Sequence, residues 1–213
     1  MNDSAPVADS EDVLDIITRA RTWLHTLWIK KSYPFAAFGR GTSITYSCEI
    51  QRSIARAIWF GARVYLAPDV WLNVTEGARS PRPKITLGNG CKIGRRSTIS
   101  ARNYIHLEDD VLTAPSVLIM DHNHAYSDIS APIHAQGVTP GGSITIGRNC
   151  WLGFGVCVLS GDKDLTIGRN SVIGANAVVT QSFPDFSVIV GNPAKLLRVY
   201  DRQTKSWIKP DPR

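Results

Sequence analysis

No stretch of this sequence stays apolar over the roughly 20 residues that a membrane-crossing helix needs. Its first residues, MNDSAPVADSEDV, have no basic run ahead of an apolar one, so no secretory leader is expected there. Cysteine is scarce. The four present, Cys48, Cys91, Cys150 and Cys157, form no Cys-x-x-Cys pair. That spacing argues against zinc ligation or a disulfide framework, and for buried free thiols in a reducing cytoplasm. Dense Lys/Arg blocks are missing too. The formal net charge is +6, yet the basic residues are scattered and form no aromatic-interleaved nucleic-acid motif, so nucleic acid is not expected as a partner. A small polyanionic ligand or a merely solvated surface accounts for the charge. At 213 residues the chain suffices for one substantial domain or two small ones.

What the sequence does have is a six-residue beat. Phe60-Gly61, Leu66-Ala67 and Leu72-Asn73 each pair a large apolar residue with a small or polar one. After an interruption from Val74 to Lys84, with Pro81 and Pro83, the beat resumes at Leu87-Gly88, Ile93-Gly94 and Ile99-Ser100. The hexad count then places Ile105-His106, Val111-Leu112 and Val117-Leu118 in the same phase. It restarts at Ile146-Gly147, Leu152-Gly153 and Val158, slips at Asp162 to Asp164, and closes with Ile167-Gly168, Ile173-Gly174 and Val179-Thr180. A helix would repeat at three and four, and a hairpin would alternate at two. A sustained six means one short strand and one corner per hexad, coiled into a solenoid. The predicted class is all-β, a parallel β-helix of about five coils over 60–183. Gly, Asn and Asp suit its corners.

Flanking segments differ. Residues 1–10 are expected to lack structure, and 32–59 form a lead-in with weak strand character. A helix is predicted over 11–31: Ser10 can cap it, Glu11 and Asp12 open it, and Val13, Ile17, Ala20, Leu24 and Leu27 recur at helical spacing with Ile16, Trp23 and Trp28. Two readings apply, packing on the domain or another subunit, and contact with a membrane surface. The acidic start favours the first. Residues 184–213 form a tail.

The beat stops once more, over 120–143, and there three of the five histidines fall: His122, His124 and His134. A regular scaffold broken by a polar loop is how rigid folds present reactive side chains.

The hexads ITIGRNCWLGFGVCVLSG and LTIGRNSVIGANAVVT, followed by VIVGNPAKLLR, resemble the hexapeptide-repeat acyltransferase superfamily, in particular the galactoside, maltose and polysaccharide-modifying O-acetyltransferases. The resemblance spans Phe60 to Arg198. It implies a left-handed parallel β-helix, assembled as a homotrimer with active sites between subunits, and transfer of an acetyl group from acetyl-CoA to a hydroxyl of a sugar or polysaccharide precursor. A loop histidine acts as general base in such enzymes. His124 falls on the position that resembles the family's catalytic one, and His122, two residues earlier, is its rival. A neutral imidazole suits the task of taking a hydroxyl proton. Asp121 or Asp128 can hold its tautomer, while His106 and His134 are taken as structural or acceptor-side and His25 as part of the helix.

By the same resemblance Trp151 lines the cofactor and acceptor cleft, with packing against a neighbouring subunit as its plainer role. Gly153, Phe154 and Ala175 run along the pantetheine arm, and Thr180, Lys195 and Arg198 meet the adenosine end of coenzyme A. Gln181 stands where a lysine is common. Arg95 and Arg96, at the place of an acceptor-binding asparagine, point to an acidic or phosphorylated acceptor or to solvated corners. Asp121 belongs to the same acceptor-side set. No metal is expected. Alternatives are N-acetylation of an amino sugar or a xenobiotic, a zinc hydratase of the γ-carbonic anhydrase kind, and a non-catalytic scaffold.

Overall fold

Apolar residues six apart put one side chain per short strand inside, and the chain turns a corner after each. The computed structural model describes residues 13–75 and 83–210. The expected unstructured start, Ser10, Glu11, Asp12 and Pro81 lie outside them. Coil strands are two to four residues long and join three sheets in strict rotation, each pairing in parallel with the strand one turn on. The first and third sheets have six strands each, and the second has nine.

Inside, columns of apolar side chains run down the faces, two of them on the first. Phe60, Leu87, Leu107, Ile146 and Ile167 stack on the first. Ile50, Leu72, Ile99, Ile119, Val158 and Val179 stack on the third. All but Ile50 are at most 1% exposed. Each such side chain contributes about 1.5–3 kcal/mol through burial. Parallel strands at about 4.8 Å spacing satisfy one another's backbone groups, so each turn protects the edge of the next.

The structure adds to or differs from the sequence reading in three respects. First, the sheets are six strands deep rather than about five, because Ala37–Phe38, Ser43–Ile44 and Glu49–Ile50, within the lead-in, already form a full turn. Second, the inward phase passes from Ile105, Val111 and Val117 to Leu107, Thr113 and Ile119, since Arg102 and Asn103 lengthen one corner. The former three are buried as well, at 0–1% exposed, so apolarity alone does not separate the two phases. Third, α1 (Val13–Ser32) lies on the body through its polar stripe. Thr26 Oγ1 accepts the Ile44 N–H at 3.0 Å and donates to the Ile44 carbonyl at 3.1 Å, with Ile29 buried beside it. Ile16, Ile17, Trp23, Leu24, Leu27 and Trp28 of the same helix are exposed on the single chain.

Beyond the last turn, Ser187–Val190 pairs in parallel with Val172–Ile173. Lys195–Asp201 and Ser206–Ile208 then extend the second sheet antiparallel. Among the described residues no helix is long and apolar enough to cross a membrane.

Candidate active site

The fourth turn reaches the corner between the third and first faces at Met120, and the chain leaves the coil until Ser143. The loop's two limbs hold each other: the Ala125 N–H donates to the Gly137 carbonyl at 3.0 Å and the Thr139 N–H to the Asn123 carbonyl at 2.7 Å. Its tip is a short 3-10 turn, Ile133–Ala135.

At the root of this loop Asp121 is fully buried. Its Oδ1 accepts the Arg102 N–H at 2.7 Å, and its Oδ2 accepts the N–H groups of Asn103 and Tyr104 at 2.8 and 2.9 Å. His122 Nδ1 lies 3.0 Å from Oδ1. An ionised carboxylate can only accept, so this contact assigns the proton to Nδ1 and leaves Nε2 as the basic nitrogen. The same corner grips the returning limb: Arg102 donates to the Val138 and Thr139 carbonyls at 2.8 and 2.6 Å, and Asn103 Nδ2 to those of Pro140 and Gly142 at 2.7 and 3.0 Å. Gly141 is required there. It has φ +70°, and a Cβ would stand 2.1 Å from the Asp121 carbonyl oxygen.

The other candidates for the base sit differently. His124 is exposed and, among the described residues, pairs only through its backbone, bridging to Val138. Asp128 is spent within the loop tip, bonding the N–H and hydroxyl of Ser130 at 2.8 and 2.6 Å, which holds its carboxyl below the usual range. His106 lies on the first face beside the Tyr104 ring, and His134 is exposed on the 3-10 turn. Among the described residues no three His, Cys, Asp or Glu side chains converge as a metal group would need.

Ser160 was not singled out by the sequence. It follows Cys157–Leu159, the strand that pairs with Leu118–Met120, and is 1% exposed. Its hydroxyl has no hydrogen-bond partner among the described residues. Arg102 and Asn103 were missed likewise, although the two extra residues before Leu107 mark them.

A second set of predicted residues gathers on the opposite edge of the third face. Corners stack there from turn to turn: the Ser116 N–H donates to the Arg95 carbonyl, the Gly155 N–H to that of Pro115, and the Asn176 N–H to that of Phe154. Arg95, Arg96, Phe154 and Ala175 are thus exposed along one ridge, with Gly153 buried in it. A Cβ at Gly153 would stand 2.8 Å from the Ala175 nitrogen. Trp151 projects from the adjoining second face, half exposed. Thr180, by contrast, follows Val178–Val179 and lies on the His122 edge, and Lys195 and Arg198 are exposed on the antiparallel strand below. Within one chain, the imidazole and the Gly153–Ala175 ridge therefore flank the third face from opposite sides.

A family model described as the hexapeptide repeat of succinyl-transferase matches residues 143–181 and 164–196. An Escherichia coli K12 protein named for lipopolysaccharide biosynthesis O-acetyl transfer, WbbJ, is 35% identical over 125 residues, 52% of this chain and 62% of its own. A Mycobacterium tuberculosis protein bearing an acetyltransferase name is 33% identical over 156 residues, 69% of this chain and 50% of its own. The chain thus spans 62% and 50% of the lengths of these two relatives. Among solved structures, the Bacillus cereus N-acyltransferase AntD, in complex with dTDP and 3-hydroxybutyryl-CoA, superposes with TM-score 0.66 at 17% identity, covering 84% of this chain and 89% of that one. A mutant perosamine N-acetyltransferase of Caulobacter crescentus, in complex with CoA and GDP-perosamine, gives TM-score 0.51 at 19% identity, over 84% and 64%. At these identities the two solved structures share the fold.

Proposed function

We propose a function from one premise: the chain belongs to the hexapeptide-repeat acyltransferase superfamily. Its activity is transfer of an acetyl group from acetyl-CoA to a hydroxyl of a sugar or polysaccharide precursor, with His122 as general base. The observation that carries the assignment is the Asp121–His122 pair, whose carboxylate accepts three backbone N–H groups and the ring Nδ1–H.

Nε2 takes the proton of the acceptor hydroxyl as its oxygen attacks the thioester carbonyl carbon. The tetrahedral oxyanion collapses, the C–S bond breaks, and the departing thiolate takes the proton from Nε2. The products are an acetyl ester and coenzyme A, and the imidazole is neutral again. Asp121 does not exchange its charge; it orients the ring and stabilises the imidazolium formed midway. Base catalysis of this kind is worth about 10²- to 10⁴-fold.

The ridge of Gly153, Phe154 and Ala175, with Trp151 beside it, suits the pantetheine arm, and Thr180, Lys195 and Arg198 its nucleotide end. A left-handed coil assembled as a homotrimer supports this arrangement: with the imidazole and the ridge on opposite edges of one face, neighbouring copies side by side bring one edge of each into a shared groove. The exposed Tyr126, Ile129 and Ile133 of the loop give it apolar surface to bury against a neighbour or an acceptor. Arg95 and Arg96 favour an acidic acceptor. Four free cysteines suit a reducing cytoplasm.

Transfer to oxygen is favoured over transfer to nitrogen because the 35% identical relative is named for O-acetyl transfer, while the N-acyl neighbours share only the fold. The test is acetyl-CoA consumption across hydroxyl-only sugars, uronic acids and amino sugars. Turnover with hydroxyl acceptors is expected; turnover confined to amino sugars would move the assignment to N-acetylation, and none with any acceptor would remove it.

A further inference from the structure

α1 is amphipathic, yet it is turned the opposite way from a helix that only covers its own domain. At 100° per residue, Ile16, Ile17, Trp23, Leu24, Leu27 and Trp28 fall within one arc of roughly 140°. That arc points away from the coils, with Trp23 and Leu27 at its edge also lining the groove beside the helix. Trp23 is 62% exposed, Leu24 58% and Trp28 57%. The stripe toward the body is held by Thr26 and His25 on the Ile44 backbone, with Ile29 the buried apolar contact. Beside it runs a groove of about 560 Å³, so the helix rests on the body along a narrow seam.

The border of the apolar arc is basic. Arg19 and Lys30 flank it on one side and Arg21 on the other, Lys31 falls within it at the C-terminal end, and Asp15 is the single acid within Val13–Ser32, with Glu11 and Asp12 just ahead in the sequence. Arg21 lies over the Tyr46 ring at 4.0 Å and Lys30 over Phe38 at 5.8 Å, which places cations on both flanks. Two outward tryptophans among aliphatics, rimmed by cations, match the layered chemistry of a lipid interface, with acyl carbon, headgroup carbonyls and phosphate met in turn. Pairing this face with the same face of another copy would bring like charges together, whereas anionic headgroups complement them. Membrane crossing is not involved, since α1 is not apolar enough to span.

We propose that the outward face of α1 docks the protein on an anionic lipid surface, lying in the interface plane. The proposal is independent of the acyl-transfer chemistry, because no residue of α1 belongs to the active site.

The test is co-sedimentation of the full chain with vesicles of phosphatidylcholine plus phosphatidylglycerol, and of phosphatidylcholine alone, at low and high salt. The protein is expected to partition onto the anionic vesicles about 10-fold or more better than onto the neutral ones, and less at high salt. Trp23→Ser with Trp28→Ser, and separately Lys30→Glu with Lys31→Glu, each lower that partition about 10-fold or more. Circular dichroism and light scattering report folding and mass for every variant. Failure of the unmodified protein to bind either vesicle overturns the proposal, as does unchanged binding by the Trp23/Trp28 variant. A drop in oligomer mass for that variant, with no vesicle binding by the parent, assigns the face to contact between copies.

Discussion

A carboxylate whose lone pairs are all engaged cannot turn, and Asp121 is in that state. Three backbone N–H groups and one ring nitrogen surround it, so the His122 ring is fixed before any acceptor arrives. Asp121→Asn tests this directly. An amide has one accepting atom, and its NH₂ would face N–H donors, so the ring loses its tautomer and the corner loses hydrogen bonds. Turnover is expected to fall about 10²-fold or more, with the apparent affinity for acetyl-CoA changed by less than about threefold. A variant with wild-type turnover would show that Asp121 only fills space. The sequence favoured His124 by its resemblance to the family's catalytic position, with His122 two residues away in the same polar loop, and the proposal takes His122 instead. What separates them is a set of contacts from Asp121 to residues 17–19 positions earlier in the chain, which no local pattern encodes.

The loop is seated by a corner. Arg102 and Asn103 carry the N–H groups that hold Asp121, and their side chains also clamp the returning limb at 138–142. Gly141 lets that limb pass the Asp121 carbonyl. Gly141→Ala is therefore expected to cost about 1–3 kcal/mol or more, from the positive φ and the close approach together. Its urea midpoint should drop and activity should fall with it; an unchanged midpoint would contradict the fit. Element by element, the coils were readable because every hexad repeats a buried apolar residue in the same phase. The slip at Arg102 and Asn103 was hidden because Ile105, Val111 and Val117 are buried as fully as the residues that replace them in phase. For α1, spacing told which residues share a face but not which face the body takes; hydrogen bonds from Thr26 and His25 decided that.

Across the molecule, the stacked turns bury thiols whose titration marks the stability of the whole. Burial pushes the thiols up from 9.0, Cys48 and Cys150 to about 11 and Cys91 to about 12. The native state therefore keeps protons that the unfolded chain releases above pH 9. Stability from these groups is complete below pH 9 and declines between pH 9 and about 12. The urea midpoint is expected to fall over that range, and less steeply in Cys91→Ala with Cys150→Ala; equal slopes would assign the fall to other groups. Edges matter as much as the core. The prism sets the Asp121–His122 pair on one side of a face and the Gly153–Ala175 ridge on the other, and the proposed homotrimer would bring the two into a single groove. The most direct test of that chemistry is turnover of acetyl-CoA with a hydroxyl acceptor by His122→Ala and His124→Ala, with binding of coenzyme A measured alongside. His122→Ala is expected to lose about 10²- to 10⁴-fold in turnover while still binding coenzyme A, and His124→Ala to stay within about 10-fold of the parent. The reverse order, or full turnover by His122→Ala, would contradict the assignment of the base and the mechanism built on it.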